Sequence, residues 1–367
     1  MEEIKSTISS INIIRILAYL MVIFMHAPLP SEQANGLFLS SLSYFTAPCI
    51  GLFFMVSGYL LLPIKDSTES FLRKRLGKVM GPTLFWSIFY IAANFIKGDC
   101  QGSLMKELIS ILFSAQGNPV LWFMYTLIGL YLLAPIISRW ITNASLKEME
   151  FYLGLWGISL CYPILSSFFS INQGNTGILY YFTGYAGYFI LGSYLKKYPE
   201  RISFKCIVPL MGIAILAPVV CKMSEIKVDF YEVFWYLSIF VVIQCVFWFQ
   251  TITKLPLKIS HQVETLLTRI SNLSFGIYLI HIFIMRYILW EWDFIQNMDG
   301  YIIQTITTGG LTFILSTLCC YLISLLPFSQ YIIGYSNIKK IESTRKTRRK
   351  IVSLQKQFYN GSKNTLP

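Results

Sequence analysis

Apolar segments about 20 residues long recur along the whole sequence, and short polar loops separate them. A helix of this length crosses the roughly 30 Å of hydrocarbon in a bilayer. The segments lie at 11–29, 41–63, 79–96, 120–138, 151–168, 179–195, 206–221, 231–249, 270–290 and 302–327. Backbone groups in lipid must bond within their own segment, so each run predicts a helix. We therefore expect an all-α integral membrane protein with about ten transmembrane helices.

The basic residues between these segments predict the orientation of the chain. If the N-terminus is inside, most of the 30 Lys and Arg residues fall in inside segments, and the outer loops hold Lys97, Lys106, Lys222, Lys227 and Arg286. Cytoplasmic loops carry such an excess of positive charge. We expect both termini in the cytoplasm, with a membrane domain over 1–334. A basic tail over 335–367, containing KTRRK, is expected to be disordered or to lie on anionic lipid.

Several classes of protein are disfavoured by the residue pattern. The net charge of +12 does not indicate a nucleic-acid-binding protein, because the basic residues lie in loops between spans and in the tail. The eight cysteines form no CxxC pair and no Cys/His metal spacing, so no metal site is expected. There is no GxSxG motif and no phosphate-binding P-loop. Carboxylates are scarce in the spans, which argues against an ion-coupled transporter.

Two ionisable residues, Arg15 and His26, lie within the first span. Eleven residues advance a helix by about three turns and about 16 Å, so both side chains lie on one face, near opposite membrane surfaces. Each alone could be an interfacial residue, Arg15 reaching lipid phosphate and His26 the outer surface. Because charged groups in a span usually face the bundle interior, we consider both as candidate catalytic residues.

A basic segment, RKRLGKVMGP at 73–82, lies at the predicted cytoplasmic entrance to the third span. Such a segment is typical either of a topology anchor or of a phosphate-binding site. Arg75 and Lys78 are three residues apart and project together from a helix, and Arg73 is nearby. Further candidates for a substrate site are Ser57, Trp122, Tyr125, Tyr278 and His281. Ser57, beside Gly58, could instead serve helix packing, and His281 could be a hydrogen-bonded structural residue.

Several motifs together resemble acyltransferase family 3, a family of membrane enzymes that move acyl groups onto extracytoplasmic saccharides. The resemblance covers essentially the whole chain. It is carried by RILAYLMVIFMH at 15–26 with its Arg-x10-His spacing, FFMVSGYLL at 53–61, RKRLGKVMGP at 73–82, LWFMYTLIGLYLLAPII at 121–137, GYFILGSYL at 187–195 and SFGIYLIH at 274–281.

The resemblance implies that His26 is the essential catalytic histidine and Arg15 its essential partner. The Arg-x-x-Arg pair that handles acyl-CoA in the family falls on Arg75 and Lys78, where lysine keeps the charge but loses the guanidinium fork. We expect a stand-alone type without a fused SGNH domain, similar to the O-acetyltransferase of enterobacterial common antigen. Acyl-CoA, above all acetyl-CoA, is then a co-substrate, and no permanently bound cofactor is expected.

The expected reaction transfers the acyl group to a hydroxyl of a cell-surface or lipid-linked saccharide, in the inner membrane of a bacterium. His26 could act as a base or carry the acyl group itself. Alternative readings are a polysaccharide exporter without catalysis, and a sensor or transport module like the membrane half of vancomycin-resistance serine racemases. Besides acyl-CoA and the saccharide, we expect contacts with membrane lipids and none with nucleic acid. We expect acceptor specificity in the outer loops 30–40, 97–119 and 286–301.

Overall fold

The computed structural model describes residues 2–30, 36–98, 103–115, 118–169, 177–224, 226, 228–255 and 259–337. The basic tail beyond 337 and parts of the predicted outer loops 30–40 and 97–119 lie outside this set. The described residues form helices joined by turns and contain no β-strand. The expected all-α class is confirmed.

The described residues form sixteen α-helices in chain order. They are α1 (Glu2–His26), α2 (Gly36–Thr46), α3 (Pro48–Leu61), α4 (Thr68–Lys97), α5 (Leu104–Ser110), α6 (Trp122–Asn143), α7 (Leu146–Ser159), α8 (Tyr162–Phe169), α9 (Ala186–Lys197), α10 (Phe204–Met223), α11 (Phe230–Val233), α12 (Ile239–Lys254), α13 (His261–Ile282), α14 (Asp293–Gln296), α15 (Tyr301–Ser324) and α16 (Ser329–Ile333). A π-helical turn, Phe283–Ile288, continues α13 and is followed by a 3₁₀ turn, Leu289–Glu291.

Eight helical segments of the described chain are long and apolar enough to cross a membrane. They are Thr7–His26, Gly36–Leu61, Thr68–Lys97, Pro119–Asn143, Leu146–Phe169, Phe204–Met223, His261–Glu291 and Tyr301–Ser324. Each overlaps one of the apolar segments predicted from the sequence. Their outward faces keep large apolar side chains exposed, such as Ile136, Ile213 and Leu216, as lipid contact requires. The chain is a multi-pass membrane protein.

Two predicted segments, 179–195 and 231–249, correspond to shorter helices. They contain α9, with 12 residues, and α12, with 16 residues. At 1.5 Å per residue, helices of these lengths span about 18 and 24 Å, less than the hydrocarbon thickness. The total of ten spans and the cytoplasmic placing of both termini therefore stay predictions.

Helices α3 and α9 touch through their backbones, and glycines make this contact possible. A Cβ atom built on Gly58 would lie 1.8 Å from the carbonyl oxygen of Phe189, and one on Gly192 would lie 1.9 Å from that of Met55. Small residues allow such close approach between membrane helices, where packing replaces the hydrophobic effect as the driving force. The contact holds α3, and with it Ser57, against the rest of the bundle.

Helix α1 lies inside the bundle, packed against α3, α13 and α15. Tyr19 stacks on Phe313 of α15 with ring centroids 5.5 Å apart. Asn12 donates a hydrogen bond of 3.1 Å to Thr268 of α13. The polar residues of α1 therefore point into protein rather than into lipid, as sequence analysis expects for ionisable groups in a span.

The α3–α9 contact predicts a strong effect of adding one methyl group at Gly58. Gly58→Ala places a Cβ atom against the Phe189 backbone, which cannot move without separating the helices, so we expect a loss of about 1–3 kcal/mol or more. Gly129→Ala on α6 is the control, because no atom lies within 4 Å of its Cβ position. Thermal unfolding in detergent measures both; equal midpoints for the two variants would contradict this packing.

Candidate active site

A small cavity beside the middle of α1, on the predicted cytoplasmic side of His26, contains three cationic side chains. It has a volume of about 150 Å³, and Arg15 of α1 lines it together with Arg75 and Lys78 of α4. Arg15 and Arg75 are half-buried, whereas Lys78 is exposed. The structure thus brings together three of the basic residues selected from the sequence. We name this space the cationic cavity.

Helix α4 presents Arg75 and Lys78 to the cavity because it begins before them and continues without interruption. The hydroxyl oxygen of Ser67 accepts a hydrogen bond from the backbone N–H of Ser70 and caps the helix. Arg75 and Lys78 then lie about one turn apart on the same side. Arg73, the third basic candidate of this segment, is exposed and does not line the cavity.

Lys74, next to Arg75, has a different environment. It forms an exposed ion pair of 2.8 Å with Asp66, and its ammonium lowers the pKa of that carboxyl group by donating a hydrogen bond. Lys74 does not line the cationic cavity. The basic segment is therefore divided between an ion-paired surface and a face that points into the bundle.

Hydroxyl groups complete the lining of the cationic cavity. Ser57 of α3 and Tyr131 of α6 both line it. Tyr131 lies close enough to Ser57, Arg15 and Arg75 for all three to act on its hydroxyl group. Sequence analysis did not select Tyr131, because it lies in an apolar run with no charged neighbour. The remaining lining residues are Phe53, Val79, Phe123, Met124, Leu127, Ser271, Asn272, Ser274, Phe275 and Tyr278.

Phe123 and Tyr278 close the inner end of the cationic cavity. Both are buried, and their ring centroids are 5.1 Å apart. The Tyr278 hydroxyl donates a hydrogen bond to the carbonyl oxygen of Val120. On its other side, Tyr278 contacts the ring of His281 at 5.6 Å between centroids. The two aromatic rings therefore separate the cations from a histidine.

His26 and His281 form a pair beyond these aromatic rings. Their ring centroids are 5.7 Å apart, although the residues come from α1 and α13 and are far apart in sequence. His281 is completely buried, whereas His26 is partly exposed. Of the two, His26 is therefore the one that a substrate can reach. The third histidine, His261, lies at the start of α13 with its side chain 91% exposed.

The hydrogen bond of His281 shows which of its two ring nitrogens carries the proton. Its Nδ1 lies 2.5 Å from the carbonyl oxygen of Tyr278, which can only accept, so Nδ1 carries the proton. Its Nε2 atom is buried and has no hydrogen-bond partner among the described residues. A buried imidazole nitrogen without a partner is unusual in a structural histidine and is typical of a functional site.

A second cavity, of about 690 Å³, lies at the predicted outer end of α1. Leu29 and Pro30, which follow His26, line it. Arg286, Trp290 and Glu291 contribute from the turns after α13. Its other lining residues are Asn94, Lys97, Asn118, Pro119, Tyr287 and Gln296. We name this space the outer cavity.

Arg286, one of the charged residues of the outer cavity, has an electrostatic effect on His26. It lies in the π-helical turn Phe283–Ile288, close enough to both histidines for its charge to affect them. Its guanidinium lies 5.3 Å from the centre of the Trp290 ring, and its Nε atom is buried without a hydrogen-bond partner in the described chain. π-Helical turns occur frequently at functional sites.

Sequence analysis counted Arg286 as a residue of an outer loop, although the predicted span 270–290 already contained it. The structure places it on the helical path that begins with α13, five residues after His281. A signal was therefore present: an arginine inside the boundaries of a predicted span, close to a second ionisable residue.

Trp122 and Tyr125, the remaining candidates on α6, have different positions. Trp122 contacts Tyr185 and Tyr236, with ring centroids 5.4 and 5.6 Å away. Tyr125 donates a hydrogen bond of 2.7 Å to the carbonyl oxygen of Ile111 and lines neither the cationic nor the outer cavity. The structure thus places Tyr125 in a helix-to-loop contact, apart from the other candidates.

Four features follow one another through the apolar bundle and form a polar column: the cationic cavity, the aromatic rings, the histidine pair and the outer cavity. Among the described residues, no group of three or more His, Cys, Asp or Glu could hold a metal ion. The functional groups of the column include imidazole, guanidinium and hydroxyl groups. Such groups can bind phosphates at one end and move a proton in the middle.

These features define a multi-pass membrane protein with an internal histidine site between a cationic cavity and a polar one. The family described as "Acyltransferase domain", acyltransferase family 3, matches residues 8–325. The chain belongs to this family, as its motifs indicate, and it is a membrane acyltransferase. No curated protein and no solved structure matches the chain.

The cationic cavity predicts binding of a phosphate-bearing nucleotide. Arg75→Gln removes one charged hydrogen-bond donor, worth about 1.5–3 kcal/mol, so affinity for adenosine 3′,5′-bisphosphate should fall at least about tenfold. Lys74→Gln is the matched control, because Lys74 is adjacent in sequence but lies outside the cavity. Calorimetric titration of the purified variants measures both constants. Equal losses in the two variants would mean that the surface charge, and not the cavity, attracts the nucleotide.

Proposed function

We propose that the protein transfers a short acyl group, acetyl first of all, from cytoplasmic acyl-CoA to a hydroxyl of a cell-surface or lipid-linked saccharide. The enzyme would act in the cytoplasmic membrane of a bacterium. One observation carries the proposal: the cationic cavity, the histidine pair and the outer cavity follow one another along α1 and α13. A donor with phosphates and a hydroxyl acceptor can thus approach the same histidine from opposite sides.

The donor would be held by its phosphates at the cationic cavity. Arginine binds phosphate through two parallel hydrogen bonds, and lysine adds a point charge, so Arg15, Arg75 and Lys78 suit the nucleotide part of CoA. Arg15 then acts on the donor and not on the reacting atoms, since eleven residues of α1, about 16 Å, separate it from His26. The pantetheine arm has about this length and carries no charge.

The arm would pass Phe123 and Tyr278 to bring its thioester to His26. Because both rings are buried and pack on each other, this passage requires a movement of their side chains. The cationic cavity itself is small, at about 150 Å³. This is smaller than a typical ligand site, so entry of the donor also requires the side chains of this cavity to move.

His26 would act as general base on the acceptor hydroxyl. A sugar hydroxyl is a weak nucleophile, and a neutral imidazole is suited to take its proton. The hydroxyl oxygen attacks the thioester carbonyl carbon while His26 accepts the proton. The C–S bond then breaks, the CoA thiolate leaves, and His26 returns the proton to the sulfur. The products are an O-acyl saccharide and CoA.

Arg286 and His281 would support this step from the outer side and from within the bundle. Negative charge develops on the thioester oxygen during the attack, and a donor already in place stabilises it. Arg286 has a buried Nε without a hydrogen-bond partner in the described chain, which leaves it free to donate. His281, fully buried against His26, fixes the position of that ring by direct packing.

The histidines permit a controlled test of this function. His26→Ala should lower acyl transfer from radiolabelled acetyl-CoA to the glycans of the producing bacterium by about 10²–10⁴-fold, the usual contribution of a general base. His261→Ala should keep the activity of the unchanged protein, because His261 is exposed and distant from the cavities. The measurement uses purified protein in nanodiscs and follows both CoA release and label on glycan.

Each result has a distinct meaning. Full activity of His26→Ala would exclude His26 as the base. Label that stays on the protein after quenching, and is lost in His26→Ala, would show that His26 carries the acyl group itself. Polymer export that persists in the His26→Ala and Arg75→Gln variants, without any transfer of label, would favour an exporter.

A further inference from the structure

A third cavity, of about 500 Å³, lies beside the histidine column and plays no part in the chemistry described above. It is bounded by the end of α7, the first part of α8, the segment 179–185, and the segment 231–237, which begins within α11 and leads toward α12. Six of its thirteen lining residues are aromatic, among them Tyr185, Tyr231, Trp235 and Tyr236. Glu232 and Thr183 add polar groups. We name it the aromatic cleft.

The rings of the aromatic cleft are arranged as a connected series. Tyr231 contacts Trp235 at 5.1 Å between ring centroids, and Trp235 contacts Tyr236 at 4.5 Å. Tyr236 in turn contacts Trp122, which lies against Tyr185. The series therefore runs from an exposed tyrosine to residues packed inside the bundle.

The inner end of this series reaches the helix that carries His26. The Tyr236 hydroxyl donates a hydrogen bond of 3.2 Å to Sδ of Met25, the residue before His26. Trp122 also follows directly after the turn Pro119–Leu121, whose first residue lines the outer cavity. The aromatic cleft and the outer cavity therefore approach the histidine pair from neighbouring directions.

The segment 231–237 is held in place by hydrogen bonds and does not depend on a ligand for its shape. A carboxylate oxygen of Asp229 accepts hydrogen bonds from the backbone N–H groups of Tyr231 and Glu232. The Tyr188 hydroxyl donates to the carbonyl oxygen of Tyr236 at 2.6 Å. A ligand would thus meet a preformed surface, which lowers the entropic cost of binding.

Aromatic residues near a membrane surface usually form an interfacial belt, which is the alternative interpretation of these rings. A belt directs single rings outward to the headgroups. Here the rings contact one another and enclose a cavity, and the cavity also contains a carboxylate, Glu232. A charged group is unfavourable against lipid chains but suitable for accepting hydrogen bonds from hydroxyl groups.

We propose that the aromatic cleft binds the sugar residues next to the one that receives the acyl group. Sugar rings present C–H groups on their faces, which pack on the negative faces of aromatic rings, and hydroxyls at their edges, which carboxylates and hydroxyls bind. The volume of the cleft falls within the range typical of ligand sites. The inference rests on the proposed function and adds the place where the acceptor is recognised.

This adds the segments 179–185 and 231–237 to the outer loops 30–40, 97–119 and 286–301, where the sequence analysis expects acceptor specificity. Parts of two of those loops lie outside the described residues. Residues of all three loops line the outer cavity, such as Pro30, Asn118 and Trp290. This cavity would then receive the reacting hydroxyl, while the aromatic cleft holds the neighbouring part of the saccharide.

Acceptor kinetics of cleft variants test the inference. The probe is the oligosaccharide pool released from the envelope glycans of the producing bacterium, with radiolabelled acetyl-CoA as donor. Trp235→Ala should raise the apparent KM for the pool by about tenfold, while kcat at saturation stays within about threefold. The reason is that the variant loses a contact made equally in the ground state and the transition state, whereas the reacting groups are intact. Glu232→Gln should raise KM by a smaller factor. Adenosine 3′,5′-bisphosphate binding should stay unchanged in both variants.

Trp292→Ala is the matched control, since Trp292 is an exposed tryptophan after α13 that lines neither the aromatic cleft nor the outer cavity. A Trp235→Ala protein with the same KM as Trp292→Ala would overturn the inference and identify the rings as an interfacial belt. If Trp235→Ala misfolds and loses nucleotide binding, the KM values of Trp235→Phe and Glu232→Gln test the inference in its place. If the unchanged protein labels no glycan, the proposed function fails, and the inference fails with it.

Discussion

The packing of α1 against α13 inside the bundle is the contact on which the site depends. Lipid provides no hydrogen bonds, so polar side chains in a span must face protein or an enclosed cavity. α1 brings Arg15 and His26 to this interface, and α13 brings Tyr278 and His281. Helices α3 and α4 then complete the cationic end. These groups follow one another along the bundle because two helices, and not loops, carry them.

Much of this arrangement follows from helical periodicity and could be predicted from the sequence. The shared face of Arg15 and His26, and the pairing of Arg75 with Lys78, need only about 100° per residue. Apolar length predicted the spanning helices, and the family motifs predicted the family. These features are local, because each concerns residues within one helix or one apolar run.

Features formed between helices could not be predicted in this way. The contact of His26 with His281, the placing of Tyr131 beside two arginines, and the aromatic cleft all join residues distant in sequence. Arg286 was counted with an outer loop although the apolar run 270–290 contains it, and its place beside the histidine pair, on a π turn, is visible only in the structure. Likewise, α9 and α12 are shorter than their apolar runs, since hydropathy does not record where a helix begins.

The contact between Phe123 and Tyr278 has an electrical consequence. Moving one elementary charge across a membrane at 100 mV involves about 2.3 kcal/mol, and a continuous wet path between the two cavities would let protons leak. The two buried rings lie between the cationic cavity and His281, where they oppose such a path. The nucleotide phosphates stay at the cationic cavity in the proposed reaction, and only an uncharged thioester arm passes the rings. Acyl transfer by the proposed reaction would then be electrically silent, and it would neither use nor dissipate the membrane potential.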